Sequence, residues 1–547
     1  MNSIRYGRVA WVGPLAAFAC VAGVHAQTAF APAGVAGSAV QDSGLRGQIE
    51  AAFAAASTVP PPSTTPNWLV TPAISVQQEW TDNALQSAGS ANASTSGSAA
   101  KQASFVTVVI PSLGIVGSSS RLTANLQYSP SLTYYSSVQG ENQIGQNLNA
   151  TALVTFIPDE LFLDLRGFAA VQSLNGASGP PGSQSLSRQN EVQSYSFSAS
   201  PYLDHRFGGW GTAQVGAEFS ETSQGALSGT LPGDQGSQTD STRQVFGSFA
   251  SGENFGRLLS NVNVSASESS GTGALQGAYR DVASYQAGYA ITHEITALAS
   301  AGWEDFAYGA PDNLHVSDAT WSVGAKLTPN ADSSVTVLYG HQGGVTAASL
   351  DASYALSART RFYASYSDSV STDTEQLQTA LANAKLDPLG NPVNSETGAP
   401  LLLTDNFFGV SGAVYRVKVA SLTASWLYER EAVQLTVNYQ QQIPVGAVSA
   451  GTAGAVSSDG TYGSVAWQHD LAPNMSSSLF AQYGKLSQSG SNGSPDTTLL
   501  VASASLSYQF SESLSGSLVY SYTSDSGAAG TANTSSNLIV LGLRKSF

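Results

Sequence analysis

Cysteine is almost absent: the one example in 547 residues, Cys20, falls in the leader-like start of the chain. A lipoprotein reading of Ala17-Phe18-Ala19-Cys20 is poor, because a small alanine stands three places before the cysteine. Beyond Cys20 there is no thiol, which excludes disulfides, cysteine metal ligands and thiol catalysis. Charge is scarce too, at 11% of residues, and it leans acidic, with 21 Lys and Arg against 37 Asp and Glu. That balance argues against nucleic acid as a partner. Past the leader, histidine is confined to His205, His293, His315, His341 and His469, with no pair at metal-ligand spacing. His205 follows Asp204, but neighbours on a strand face opposite ways, so a rim position is expected rather than an acid–base couple. There is no G-x-S-x-G elbow and no phosphate-cradling G-x-x-x-x-G-K-[ST] loop, and Gly271–Gly277 misses the dinucleotide spacing by one residue and reads as a flexible loop tip. No nucleophile is assembled with a base, so no enzymatic activity, cofactor or metal is expected. Also lacking, after the first two dozen residues, is any apolar run long enough for a membrane-spanning helix.

What is present points to a cell envelope. Arg5 and Arg8, the apolar stretch from Val9 to Gly23 and the small residues around Val24-His25-Ala26 read as a secretory signal over 1–26. Residues 27–66 form an Ala/Gly/Pro-rich periplasmic lead-in ending in Val59-Pro60-Pro61-Pro62. Within it Leu45, Ile49, Ala52, Phe53 and Ala56 recur at helical spacing behind Asp42 and Ser43, where a frayed tether is favoured over a docking helix.

From 67 to 547 the dominant period is two. Leu122, Ala124, Leu126 and Tyr128 oppose Arg121, Thr123, Asn125 and Gln127, and Leu161, Leu163 and Leu165 oppose Phe162, Asp164 and Arg166. The same alternation marks Trp321, Val323, Ala325 and Leu327, and Leu500 through Phe510. A lipid-spanning chain without spanning helices must pair its backbone groups in a closed barrel. The expectation is an all-β, transmembrane, antiparallel up-and-down β-barrel of about 22 strands, within a range of 18–24, in the outer membrane of a Gram-negative bacterium. Brief breaks such as Ile157-Pro158-Asp159-Glu160 and Thr328-Pro329-Asn330 alternate strictly with longer Gly/Ser/Asn-rich stretches, including 172–190, 268–280 and 306–318. These read as short periplasmic turns and long extracellular loops. One connection, 370–414, is exceptional. Thr372-Asp373-Thr374-Glu375 resembles a capping box ahead of Leu377, Ala380, Leu381 and Ala384, so a short helix is expected, then a turn at 387–392, with an inward constriction favoured over an outer lid.

Four sets of residues carry the functional expectation. Ile539, Leu541, Leu543 and Phe547 give the last strand an apolar face and an aromatic terminus, a signal for the barrel-assembly machinery, with Lys545 as the exception. Thr123, Asn125 and Gln127, with Asn147, Asn149, Thr151 and their row-mates Gln143, Gly145 and Thr155, form a neutral amide and hydroxyl wall expected to line the lumen. No clustering of Arg opposite carboxylates is visible. Asp368, Asp373, Glu375 and Trp303-Glu304-Asp305 are expected to form a solvated acidic rim, since their spacing matches no calcium loop. Trp68, Trp80, Tyr134, Tyr135, Trp210, Trp426, Tyr428 and Trp467 are assigned to interfacial girdles, although some are equally suited to a sugar path.

Thr71-Pro72-Ala73-Ile74, Trp80-Thr81-Asp82-Asn83, Ser104-Phe105-Val106-Thr107, Ile110-Pro111-Ser112-Leu113-Gly114-Ile115, Leu126-Gln127-Tyr128, Asn142-Gln143, Leu161-Phe162-Leu163-Asp164 and the closing Gly542–Phe547 stand in an order that resembles the outer-membrane β-barrel proteins associated with PEP-CTERM/exosortase systems and exopolysaccharide loci. The resemblance runs from about residue 68 to the end of the chain. It implies a barrel serving surface polysaccharide or surface-protein biogenesis and transfers no catalytic residue. Expected partners are outer-membrane lipid, the barrel-assembly machinery and a polysaccharide. The leading expectation is a non-enzymatic pore or export conduit for a carbohydrate polymer or another bulky neutral solute. The alternative is a structural or adhesive surface protein without transport. A plugged siderophore receptor fits less well, because a globular plug needs far more chain than precedes Pro72.

Overall fold

The computed structural model describes residues 67–85, 101–173, 191–226, 237–310, 312–382, 384–386, 392–394, 413–445, 457–489, 496–526 and 533–547. The expected leader and lead-in, most of the longer loops and most of the 387–392 turn lie outside them. One antiparallel sheet of 24 strands closes on itself; four of those strands are halves of two interrupted staves, which leaves 22 staves, as expected.

In chain order the staves are Asn67–Thr81, Ser104–Ser118, 122–135, 143–157, Leu161–Ser173, Glu191–Arg206, Gly211–Ala226, Gln238–Ser251, Leu258–Gly271, Gln276–Ala290, Ile295–Ala307, His315–Leu327, Ser334–Gln342, Val345–Ser357, Thr360–Ser371, Tyr415–Leu427, Glu431–Pro444, Ser457–Ala472, Met475–Ser489, Thr497–Ser511, Leu514–Ser526 and Thr534–Ser546. Each pairs with its sequence neighbours, and the first pairs with the last from Ala73↔Ser546 to Thr81↔Leu538.

Alternation sorts the side chains into two media. Val76, Val215, Val245, Leu422, Tyr483, Leu541 and many like them are 40–60% exposed on the outer face. A band of large apolar side chains this extensive is stable only against hydrocarbon. With closure removing every sheet edge, the protein is an outer-membrane barrel. The inner face carries the polar partners of each row.

The third stave breaks at Ser129-Pro130 and the fourth at Gln146-Asn147, at the same level, where Ser129 N–H donates to Asn147 O at 2.9 Å. Proline has no N–H for the ladder, which accounts for the break. The Gln193 side chain patches it: its Oε1 accepts from Gln146 N–H at 2.8 Å, and its Nε2 donates to Gln146 O and Ala170 O, both at 3.0 Å.

The end where Asn67 and Phe547 lie has only short turns, among them 119–121, 358–359, 473–474 and 512–513. At the other end the strict alternation of short and long fails. Staves nine and ten are joined by 272–275 alone, and staves thirteen and fourteen by Gly343-Gly344, both at positive φ (62° and 70°). That two-residue turn matches the twist of its strands, so the hairpin needs no loop. The connection 308–314 is likewise shorter than the stretch 306–318 assigned to it, because the strands run on into it.

Candidate functional site

The expected helix forms over Asp373–Ala382. Its capping box is made in both directions: Glu375 N–H donates to Thr372 Oγ1 at 3.2 Å, and Thr372 N–H donates to Glu375 Oε2 at 2.8 Å. Beyond the helix, Ala384–Leu386 pairs with Pro392–Asn394 and brackets the expected turn.

The helix is held by walls far apart in the ring. Gln442 of the seventeenth stave donates to Asp373 Oδ1 at 2.9 Å, while Gln378 donates to Asp240 Oδ2 of the eighth stave at 3.0 Å. Asp240 and Gln442 lie on the rows opposite exposed Val245 and Val437, and so face the lumen. The helix therefore meets inward side chains from two sides of the barrel.

Between those contacts lies a buried network. Tyr308 donates to Glu375 Oε2 at 2.8 Å and accepts from Arg280 Nη2 at 3.2 Å. The Arg280 guanidinium sits 4.5 Å over the Phe306 ring and donates to Val370 O at 3.4 Å, which joins the tenth stave to the fifteenth. Burial, with the Glu375 carboxylate beside it, pushes the Tyr308 phenol far above its usual range and keeps it a donor. The short hairpin of the thirteenth and fourteenth staves has its tip tucked in: Gly344 N–H donates to Glu304 Oε1 at 3.0 Å. Ala274, Leu275, Ala278, Phe306, Tyr308, Val370 and Val414 pack around the network as one apolar cluster.

This arrangement corrects several expectations. Gly271–Gly277 is no free loop tip, since Ala274 and Leu275 are buried in that cluster. The solvated acidic rim is not what forms either: Glu304 and Asp373 are buried, and Asp368 is bound by Arg416 at 2.6 and 2.8 Å. No group of three or more His, Asp or Glu suited to a metal comes together among the described residues. Tyr135 is not a girdle residue; it faces inward and packs with Val106, Val108 and Ala84. Trp68, Tyr134, Trp210 and Tyr428 are exposed, and Trp467 stacks on His469 at 5.7 Å. His205 sits 3.7 Å from Glu160, and Asp204 points to the other face.

The expected lumen wall falls on the inward face. Thr123, Asn125 and Gln127 stand in register with Leu153, Thr151 and Asn149. Asn147 sits in the interruption and spends its amide on Ser129 O at 3.3 Å, while Gln143 and Gly145 face inward on the upper half-stave and Thr155 on the lower. Around the rest of the ring the same face carries cross-strand hydroxyl pairs: Ser118–Thr123 at 3.2 Å, Ser196–Thr222 at 3.2 Å, Thr242–Ser269 at 2.7 Å, Ser300–Ser322 at 2.5 Å, Ser365–Ser421 at 2.7 Å and Ser478–Ser505 at 2.6 Å.

Missed from sequence was a charged group on that wall. Arg166 Nη2 lies 2.9 Å from Asp164 Oδ2, and Glu218 sits within its field. Alternation already puts Asp164 and Arg166 on one face two residues apart, but it gives no cross-strand neighbour, so only the register brings Glu218 to them. At the rim Asp82 clamps the closing seam, with Oδ1 accepting from Asn537 N–H at 2.7 Å and Oδ2 from Asn537 Nδ2 at 2.8 Å. The final strand holds Ile539, Leu541 and Leu543 outward, and Phe547 N–H donates to Pro72 O at 3.0 Å.

No protein-family model matches the chain, and no characterised protein matches it by sequence. Among solved structures it is similar in fold to the siderophore receptor PirA from Acinetobacter baumannii, at 10% identity and a TM-score of 0.48, over 89% of this chain and 81% of that one. The ferric-catecholate import receptor Fiu from E. coli K12 aligns at 10% identity and 0.48, over 89% and 82%. The FrpB iron transporter from Neisseria meningitidis aligns at 11% and 0.45, over 87% and 82%. At this identity the likeness is one of barrel architecture alone.

Proposed function

We propose that the barrel is a non-enzymatic conduit through which a carbohydrate polymer, or a comparably bulky neutral solute, crosses the outer membrane in surface polysaccharide or surface-protein biogenesis. The observation that carries this reading is the inner face, where hydroxyl and amide side chains recur around the ring. Each such group exchanges a hydrogen bond with water for one with a sugar hydroxyl at a net of about 1 kcal/mol. Many weak, equivalent contacts let a polyhydroxylated chain bind and still leave, which a conduit requires. The helix at the mouth would then be a constriction. The packed mouth also supports a second reading, a plugged barrel whose surface loops do structural or adhesive work.

The test is reconstitution in planar bilayers with neutral oligosaccharides, together with surface polysaccharide measured in a null strain. Replacing Asn125, Asn149 and Thr151 together by Leu should shorten sugar-induced current blocks and reduce surface polymer while barrel abundance holds. If no oligosaccharide blocks the current and the null strain keeps all of its surface polymer, the plugged-barrel reading replaces the conduit.

A further inference from the structure

An aromatic row runs along the inner wall below the helix. Phe162, Tyr202 and Phe246 face inward on the fifth, sixth and eighth staves at one level, because the register pairs Phe162 with Tyr202, Tyr202 with Gly216 and Gly216 with Phe246. The Phe162 and Tyr202 rings stack at 5.2 Å and 23°. The seventh stave contributes no side chain to the row, and this is what makes the row continuous. A Cβ on Gly216 would come within 2.6 Å of Phe246 Cζ and 2.8 Å of Tyr202 Cβ. The glycine lets the Phe246 ring lie over bare backbone toward Tyr202.

Charge lies immediately mouthward of the shelf. Asp164 and Glu218 stand two residues on from Phe162 and Gly216, on the same face, and Arg166 follows Asp164 by two more. The Arg166 and Asp164 side chains are 28% and 29% exposed, so the ion pair is reached from the lumen. Asp164 is matched by Arg166, and Glu218 supplies a further set of acceptors.

The two halves make complementary demands on a ligand. An aromatic face, negative at its centre, is satisfied by a flat surface of polarised C–H groups. Carboxylates and a guanidinium beside it accept from and donate to hydroxyls at the rim of that surface. A simple ion has no apolar face, and an extended peptide has no ring of hydroxyls around one. A pyranose ring has both.

We propose that Tyr202 and Phe246, backed by the buried Phe162 ring on which Tyr202 stacks, form with Asp164, Arg166 and Glu218 a subsite that holds one pyranose unit of a neutral polysaccharide against the wall below the helix. This rests on the conduit reading and adds the place and the chemistry of recognition. Rings are seated on the shelf in turn as the chain moves, while the hydroxyl rows above supply the weak contacts between seatings.

The experiment uses the full chain in planar bilayers, with cellohexaose as the probe and a polyethylene glycol of similar length as a ring-free control. In the Tyr202→Ala/Phe246→Ala variant the cellohexaose dwell time should fall about tenfold, as expected for lost ring stacking and contact area. Blocking by polyethylene glycol should not change. Glu218→Gln should shorten cellohexaose dwell times while also leaving the glycol unaffected. If the double alanine variant fails to insert, Tyr202→Leu/Phe246→Leu keeps the bulk, removes the rings and is read the same way. Unchanged cellohexaose dwell times in an inserted variant overturn the subsite and leave the conduit standing. If the unaltered barrel is blocked by polyethylene glycol but never by cellohexaose, the conduit reading itself fails, and the subsite with it.

Discussion

Glu375 does two jobs with one carboxylate. It closes the capping box that starts the helix, and it receives the Tyr308 hydroxyl that ties the helix to the wall. Hydrogen bonds to a charged group contribute roughly 1.5–3 kcal/mol each. Glu375→Ala should therefore free the first helical turn without disturbing the barrel: amides at 374–377 lose hydrogen-exchange protection and open-channel noise rises, while insertion and heat-modifiable mobility hold. Protection equal to that of the unaltered chain would mean that the apolar cluster alone holds the helix. Asp312 gives the packed mouth a pH dependence. It is buried, accepts Val414 N–H at 3.0 Å, and burial raises its carboxyl above the usual range. A raised acid binds its proton more tightly in the packed mouth than in the loosened one, so the stabilisation is full at low pH and is lost as pH rises through the raised value. The protection factor of the Val414 amide should accordingly increase on acidification from neutral pH toward 4. A decrease would mark a mouth that acid opens. The Thr372/Glu375 box was legible in sequence because its partners are three residues apart. Tyr308, Asp240 and Gln442 were not, since they reach the helix only after the sheet has closed.

At the scale of elements, legibility follows the range of the interaction. Period-two alternation is local, so it puts Thr123, Asn125 and Gln127 on one face although their stave is interrupted further on, whereas Tyr135, given to a girdle together with its neighbour Tyr134 against that alternation, faces inward. Connection lengths are not legible in this way, because a polar Gly/Ser-rich stretch reads as loop whether or not the ladder continues through it. Residues 268–271 and 276–280 are strand, and only 272–275 turns. The double glycine Gly343-Gly344 is the local signal for the two-residue hairpin. The helix, tied to the wall through Tyr308, also meets the lumen-facing Asp240 and Gln442 on two sides of the mouth. Removing 373–412 and rejoining the fifteenth and sixteenth staves through a short Gly/Ser linker should thus raise single-channel conductance in planar bilayers. Unchanged conductance, together with protease cutting within 373–382 on intact cells, would put the segment outside the pore as a lid.

For the whole molecule the decisive event is closure, in which the first strand meets the last. Two features sit on that seam and should fail in opposite ways. Phe547 gives the finished barrel one backbone hydrogen bond, to Pro72 O, and its ring is 75% exposed. One such bond is worth about 1 kcal/mol, a small part of a ladder running from Ala73 to Thr81. Asp82, by contrast, holds Asn537 through two charge-assisted bonds at the rim, where the ladder would otherwise fray. If the terminal aromatic is an assembly signal, deleting Phe547 should sharply reduce the amount of inserted barrel, while the barrels that do insert unfold at nearly the temperature of the unaltered protein. Asp82→Ala should insert at normal levels and lose its heat-modifiable compact form at a lower temperature. Pulse-labelled membranes resolved on semi-native gels report both quantities at once. Normal insertion without Phe547 would show that the final strand is recognised through Ile539, Leu541 and Leu543 alone.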